Sequence, residues 1–121
     1  MMAEMLYHGA DGDAILGIIA KAAIEPHDGE VFFARHRWES LFMHGGDRKR
    51  NASFVVKLQV IIPAQATRRR IETPGVLDTF VVETKSMLPA HVLELYVRRP
   101  AEDGVRLQHF VGLAAIRAQL A

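Results

Sequence analysis

The spacing of apolar positions changes repeatedly along this chain, and each change marks the edge of an element. Residues 4 to 8 read as a short strand. From Asp11 or Asp13, either of which can cap a helix, the positions Ile15, Ile18, Ile19, Ala22 and Ala23 form one apolar stripe, which predicts a helix over Asp11 to Ile24. "EPHDG" (25 to 29) is a turn punctuated by Pro26 and Gly29. "EVFFA" (30 to 34) is aromatic and β-branched, hence a strand. "RHRWESLFMH" then has helical spacing, with Trp38, Leu41 and Phe42 on one side, and "GGDRKRN" is a polar loop. "ASFVVKLQVII" (52 to 62) is the strongest strand signal and Pro63 closes it. "TRRRIETPGV" reads as a basic connection. "LDTFVVET" (77 to 84) and "HVLELYV" (91 to 97) are further strands with a turn at Leu88-Pro89 between them. After "EDG", residues 105 to 120 read as a terminal helix.

The order of strand, helix, strand, helix and then mainly strands predicts an α+β fold with a largely antiparallel sheet. No internal repeat, linker or low-complexity segment divides the chain, so residues 1–121 are expected to form a single domain.

Composition narrows the function classes. The 121 residues are 50% hydrophobic, which excludes a disordered tail. Fifteen basic residues against fourteen acidic ones give a formal charge of +1, so the overall charge does not mark a dedicated nucleic-acid binder. With no cysteine there is no disulfide scaffold and no thiolate chemistry. No apolar run approaches the roughly 20 residues of a membrane span, and no basic segment leads into an apolar secretory signal. A small cytoplasmic protein that does not engage a membrane is the expectation.

Six histidines invite a metal hypothesis, but His27, His36 and His44 match no ligand spacing and HExxH is absent, so no metal site is expected. There is no GxSxG elbow, no GxGxxG after a strand and no P-loop. Three basic clusters remain: Arg35 with Arg37, Arg48-Lys49-Arg50, and Arg68-Arg69-Arg70. Each alone reads as solvated loop charge. Brought to one side by the fold, they would make a phosphate-binding face.

Three separated pieces resemble the ADP-ribosyltransferase superfamily, in the branch shared by the poly(ADP-ribose) polymerases and diphtheria toxin. "LYHGADGDAILGIIAKAAIEP" is similar to that family's strand ending in His-Gly-Thr/Ser and the helix after it. "GEVFFARHRWESLFM" is similar to its "GIYFA" strand and following helix. "VVETKSMLPAHVLELYV" places a glutamate six residues before a proline and a closing β-run, as the polymerase branch does. The resemblance covers roughly residues 5 to 97 and implies a split, mainly antiparallel sheet that holds NAD. It assigns His8 and Glu83 to the catalytic positions, Gly9 to the nicotinamide amide, Phe32 to the stacking tyrosine, Ser40 to a serine that binds the same amide, and Phe42 or Met43 to a second stacking position. Two positions depart from the pattern: Ala10 stands where Thr or Ser is usual, and Phe32 lacks the tyrosine hydroxyl.

The chemistry is checkable against these residues. Cleaving the nicotinamide–ribose bond builds positive charge on the ribose, as in glycoside hydrolysis, and a fixed carboxylate such as Glu83 stabilises it. Taken without the resemblance, Glu83 is an ordinary strand-end glutamate and His8 a histidine satisfied by backbone. Phe32 and Phe33 point to opposite faces of their strand, so one belongs to the core and the other is free to stack. The implied function is ADP-ribosyl transfer to a protein or nucleic-acid acceptor, as in a compact toxin-like transferase. The alternatives are an RNA 2′-phosphotransferase using NAD, a catalytically silent binding module of the same fold, and an unrelated α+β interaction domain.

Overall fold

A computed structural model describes residues 3–36, 38–71 and 79–121. Within them, nine strands and two α-helices form a mixed α+β protein with a mostly antiparallel sheet. In chain order these are β1 (Ala3–Gly9), α1 (Gly12–Lys21), β2 (Ala23–Ile24), β3 (Glu30–Ala34), a 3₁₀ helix (Glu39–His44), β4 (Gly46–Asp47), β5 (Ala52–Ile61), β6 (Thr67–Arg70), β7 (Thr79–Glu83), β8 (Leu88–Ala101), β9 (Gly104–Val111) and α2 (Leu113–Leu120).

The strand order is β2-β8-β5-β1-β3-β7-β6, with β4 beside β5 and β9 beside β8, and every pairing described is antiparallel. β1 and β5 share a seven-residue register from Ala3↔Ile61 to Gly9↔Val55. On its other side β1 meets β3 at the single pair Tyr7↔Ala34. The sheet therefore divides just where His8 and Gly9 end their strand, leaving a β3-β7-β6 wing beside a β1-β5-β8 body.

Alternation along the strands gives two faces. Leu6, Phe33, Phe54, Val56, Leu58, Leu95 and Val97 point to the side covered by α1 and α2, where Ile15, Ile18, Ile116 and Leu120 complete the main core. The opposite face carries Ala34 and Val55 under Leu41 and Phe42 of the 3₁₀ helix, with Tyr7, Trp38 and Tyr96 around them.

Several expectations are corrected. The first helix stops at Lys21, because Ala22 adopts a left-handed conformation (φ 52°) and Ala23–Ile24 pair with Leu88 and Pro89. Where helical spacing follows Arg35, Glu39–His44 is a 3₁₀ helix and not an α-helix. Thr67–Arg70 is an edge strand on β7, with all four residues exposed. Leu88-Pro89 is no turn but the start of a fourteen-residue strand. Residues 105 to 111 are strand and only 113 to 120 are helix. Arg37, residues 72 to 76 of the basic connection and the first two residues of the 77–84 strand lie outside the described residues.

Candidate functional site

Asp11 starts the local geometry. Its side chain accepts from the Ala14 amide at 2.8 Å and caps α1, so the chain leaves β1 through His8, Gly9 and Ala10 and turns directly into the helix. Gly9 is required by a close approach: a Cβ there would sit 2.3 Å from the Leu41 carbonyl oxygen. The 3₁₀ helix thus lies directly on the end of β1. A second such contact holds its far end, where a Cβ on Gly45 would fall 1.8 Å from the Phe54 carbonyl oxygen.

His8 reaches across the divide between β1 and β3, with Nδ1 2.8 Å from the Phe32 carbonyl. A carbonyl only accepts, so Nδ1 carries the proton, and Nε2 of the neutral ring is left as an acceptor. Burial lowers the His8 pKa, and the nearby His44 adds to this; the Phe32 carbonyl opposes them only in part. The neutral form is therefore the resting one near pH 7. His8 also lines a cavity of about 290 Å³ on the α1 side, together with Asp13, Gly17, Lys21 and Glu25.

Phe32 and Phe33 divide as alternation requires. Phe33 is wholly buried against Phe80 and the His8 ring, so of the two it is the core residue and not a stacking surface for a ligand. Phe32 points to the opposite face, is 38% exposed, and stacks on His44 with ring centroids 5.6 Å apart. Phe42 is buried, and the Arg98 guanidinium lies 4.9 Å over its ring, so it offers no stacking face; that assignment is corrected too. Met43, the other residue considered there, is largely exposed. Ser40 contributes a buried Oγ that has no hydrogen-bond partner among the described residues. Such an orphan costs about 1–3 kcal/mol unless something else satisfies it.

Glu83 ends β7 directly opposite Glu30 on β3, two residues from Phe32 and on its face. Arg69 of β6 holds both carboxylates, with Nε 3.0 Å from Glu83 and a terminal nitrogen 3.1 Å from Glu30. Sequence reasoning missed this arrangement. Glu30 was visible only as the first residue of a strand, and Arg69 only as one of three consecutive arginines.

Among the described residues two of the basic clusters meet, Arg35 with the Arg68–Arg70 run, and the Arg48–Arg50 run lies apart from them. Arg50 is consumed by Asp47 and Asp13 and by the Leu120 carbonyl, Arg68 by Glu4, and Arg69 by the two glutamates. Arg35, Arg68 and Arg70 share one cavity with Phe80, while Arg48 lines another with Arg98 and Arg99. Among the described residues no three His, Asp or Glu side chains come together to hold a metal ion, and no helix is long and apolar enough to cross a membrane. No protein-family model matches the sequence, and no curated protein and no solved structure matches it.

Proposed function

We propose that the chain is an NAD-dependent ADP-ribosyltransferase with an ADP-ribosyltransferase-like fold, and that NAD bends around the end of β1. The observation that carries the reading is that strand alternation puts the end of β1 at Gly9, the outward Phe32 ring and the strand-end Glu83 on one face of the divided sheet, the face on which the 3₁₀ helix with the buried Ser40 hydroxyl lies. A nicotinamide ring needs that set. A flat face stacks on Phe32, the carboxamide satisfies Ser40 Oγ and the backbone at Gly9, and Glu83 faces the ribose as positive charge develops.

His8 lies one residue away on the other face, as consecutive strand residues must. With Nδ1–H donated to Phe32, its Nε2 is free to accept a ribose hydroxyl from the adenosine half of the dinucleotide. It binds and does not act as a base. Arg69 bonds both Glu83 and Glu30, which biases the Glu83 carboxylate toward one orientation before the substrate arrives. The missing hydroxyl at Phe32 costs one hydrogen bond and leaves the stacking surface intact.

Incubation with NAD, with and without candidate acceptors, tests this by the nicotinamide released. Release by the wild type and a loss of about 10²–10³-fold in Glu83→Gln is expected, the size of one preorganised electrostatic group. No release in any mixture, or equal release by the variant, contradicts the assignment. A silent binding module of the same fold is the second reading, favoured by Phe32 and Ala10 standing where hydroxyl-bearing residues are usual. NAD binding without turnover would select it.

A further inference from the structure

An open groove lies away from His8 and Glu83, and its charge is unbalanced. It occupies about 540 Å³ between the turn that joins β4 to β5 and the far end of β8, and it is lined by Arg48, Asn51, Ser53, Arg98, Arg99 and Val105 among others. Arg48 and Arg98 have no carboxylate within ion-pair distance among the described residues. Arg98 is braced on the Phe42 ring, and Arg99 has two long contacts, 3.4 Å to the Arg50 carbonyl and 3.3 Å to Gln119. Asp47 is the one acid lining the groove. It is already committed to the Gly12 and Arg50 amides and to the Arg50 guanidinium, at 2.8, 3.0 and 2.9 Å. Elsewhere on the surface, arginines such as Arg68 and Arg69 are neutralised by glutamates. Arg48 and Arg98, from two separate elements, are therefore left without a carboxylate partner among the described residues, while Arg99, next to Arg98 on β8, points to the opposite face toward α2.

We propose that this groove binds the phosphates of a single-stranded polynucleotide. Beside Arg98, on the same sheet face, β9 sets Leu107 opposite it and His109 one step on, and both are exposed. His109 lies flat on Tyr96, with centroids 4.4 Å apart and planes 3° from parallel. Arginines beside an exposed His109 ring, backed by the partly buried Tyr96, and an apolar side chain are what a flexible strand with unpaired bases requires. A free phosphate would use the arginines alone. Duplex bases, already stacked, could not use the platform.

Whether the bound strand is the acceptor rests on the ADP-ribosyl transfer reading; the binding itself does not.

Fluorescence anisotropy of a short labelled single-stranded oligonucleotide, with no NAD present, tests the groove. Expected are saturable binding that weakens linearly in log salt, and a loss of about tenfold with a slope smaller by about one for each of Arg48→Gln and Arg98→Gln. Arg98→Lys should keep the slope, and Arg117→Gln on the exposed side of α2 should change nothing. Inorganic pyrophosphate and polyglutamate should compete only at much higher charge-equivalent concentrations. No binding at low salt, full binding by the double Arg48→Gln/Arg98→Gln variant with an unchanged melting curve, or equally effective competition by polyglutamate would each overturn the proposal. Because no NAD is used, a silent Glu83 leaves this result standing, and a failed groove leaves the transfer reading standing.

Discussion

His8 is held in one tautomer by one carbonyl, and that makes its behaviour with pH predictable. Its pKa is lowered in the folded state, so the unfolded chain binds the proton more tightly. The stability it contributes is complete above the unfolded value near 6.5 and falls as pH drops from there through the folded value. An NMR titration of the ring should show a midpoint below 6.5, and His8→Gln should flatten this part of the stability–pH curve. Phe32 gives the complementary prediction. Its ring is partly exposed, so Phe32→Ala should change stability by less than about 0.5 kcal/mol. The same change should weaken NAD binding about tenfold, the worth of one stacked ring, measured by calorimetry. The pattern of the chain showed that one of Phe32 and Phe33 must face outward. Which one it is depends on the register with β7, which no local pattern encodes.

At the scale of elements, the 3₁₀ helix Glu39–His44 positions the site because two glycines let it lie on the sheet. Gly45→Ala would drive a methyl to 1.8 Å from the Phe54 carbonyl oxygen, a backbone atom that cannot rotate away. A loss of about 1–3 kcal/mol in urea unfolding is expected, together with loss of NAD binding as Ser40 and His44 shift. β5 was legible because eight of the ten residues of Ala52–Ile61 are buried or half-buried apolar or small side chains, with Pro63 closing the run. β6 was not: TRRR carries no apolar residue and is a strand only because β7 offers an edge. The misreading of β9 has a different cause. Val105, Leu107, His109 and Val111 alternate as a strand should, but the apolar run of α2 follows after a single glycine and blurs the change of period.

Across the whole molecule, one buried ion pair ties distant parts together. Asp47 accepts from the Gly12 amide at the start of α1, and Arg50 reaches Asp13 and the Leu120 carbonyl at the end of α2. Burial alone would raise the Asp47 pKa, but the two amides and the Arg50 guanidinium outweigh it and hold the carboxyl below its ordinary range. Its stabilisation is therefore complete above the unfolded value near 3.8 and is lost as pH falls through the folded one. Asp47→Ala should cost about 3 kcal/mol and release hydrogen-exchange protection in residues 113–120, far along the chain from the substitution. In the sequence, Asp47 and Arg50 were only part of a polar loop. Nothing local shows that the loop folds back between two helices.

In the proposed reading the nicotinamide half of NAD occupies the space over Phe32 beside Glu83. Titrating NAD into ¹⁵N-labelled protein and following each backbone amide tests that placement directly. Saturable shifts centred on Gly9, Phe32, Ser40 and Glu83, with a second group at His8 and along α1, are the predicted result. No shifts at millimolar NAD, or shifts confined to residues away from the divide between β1 and β3, would contradict it.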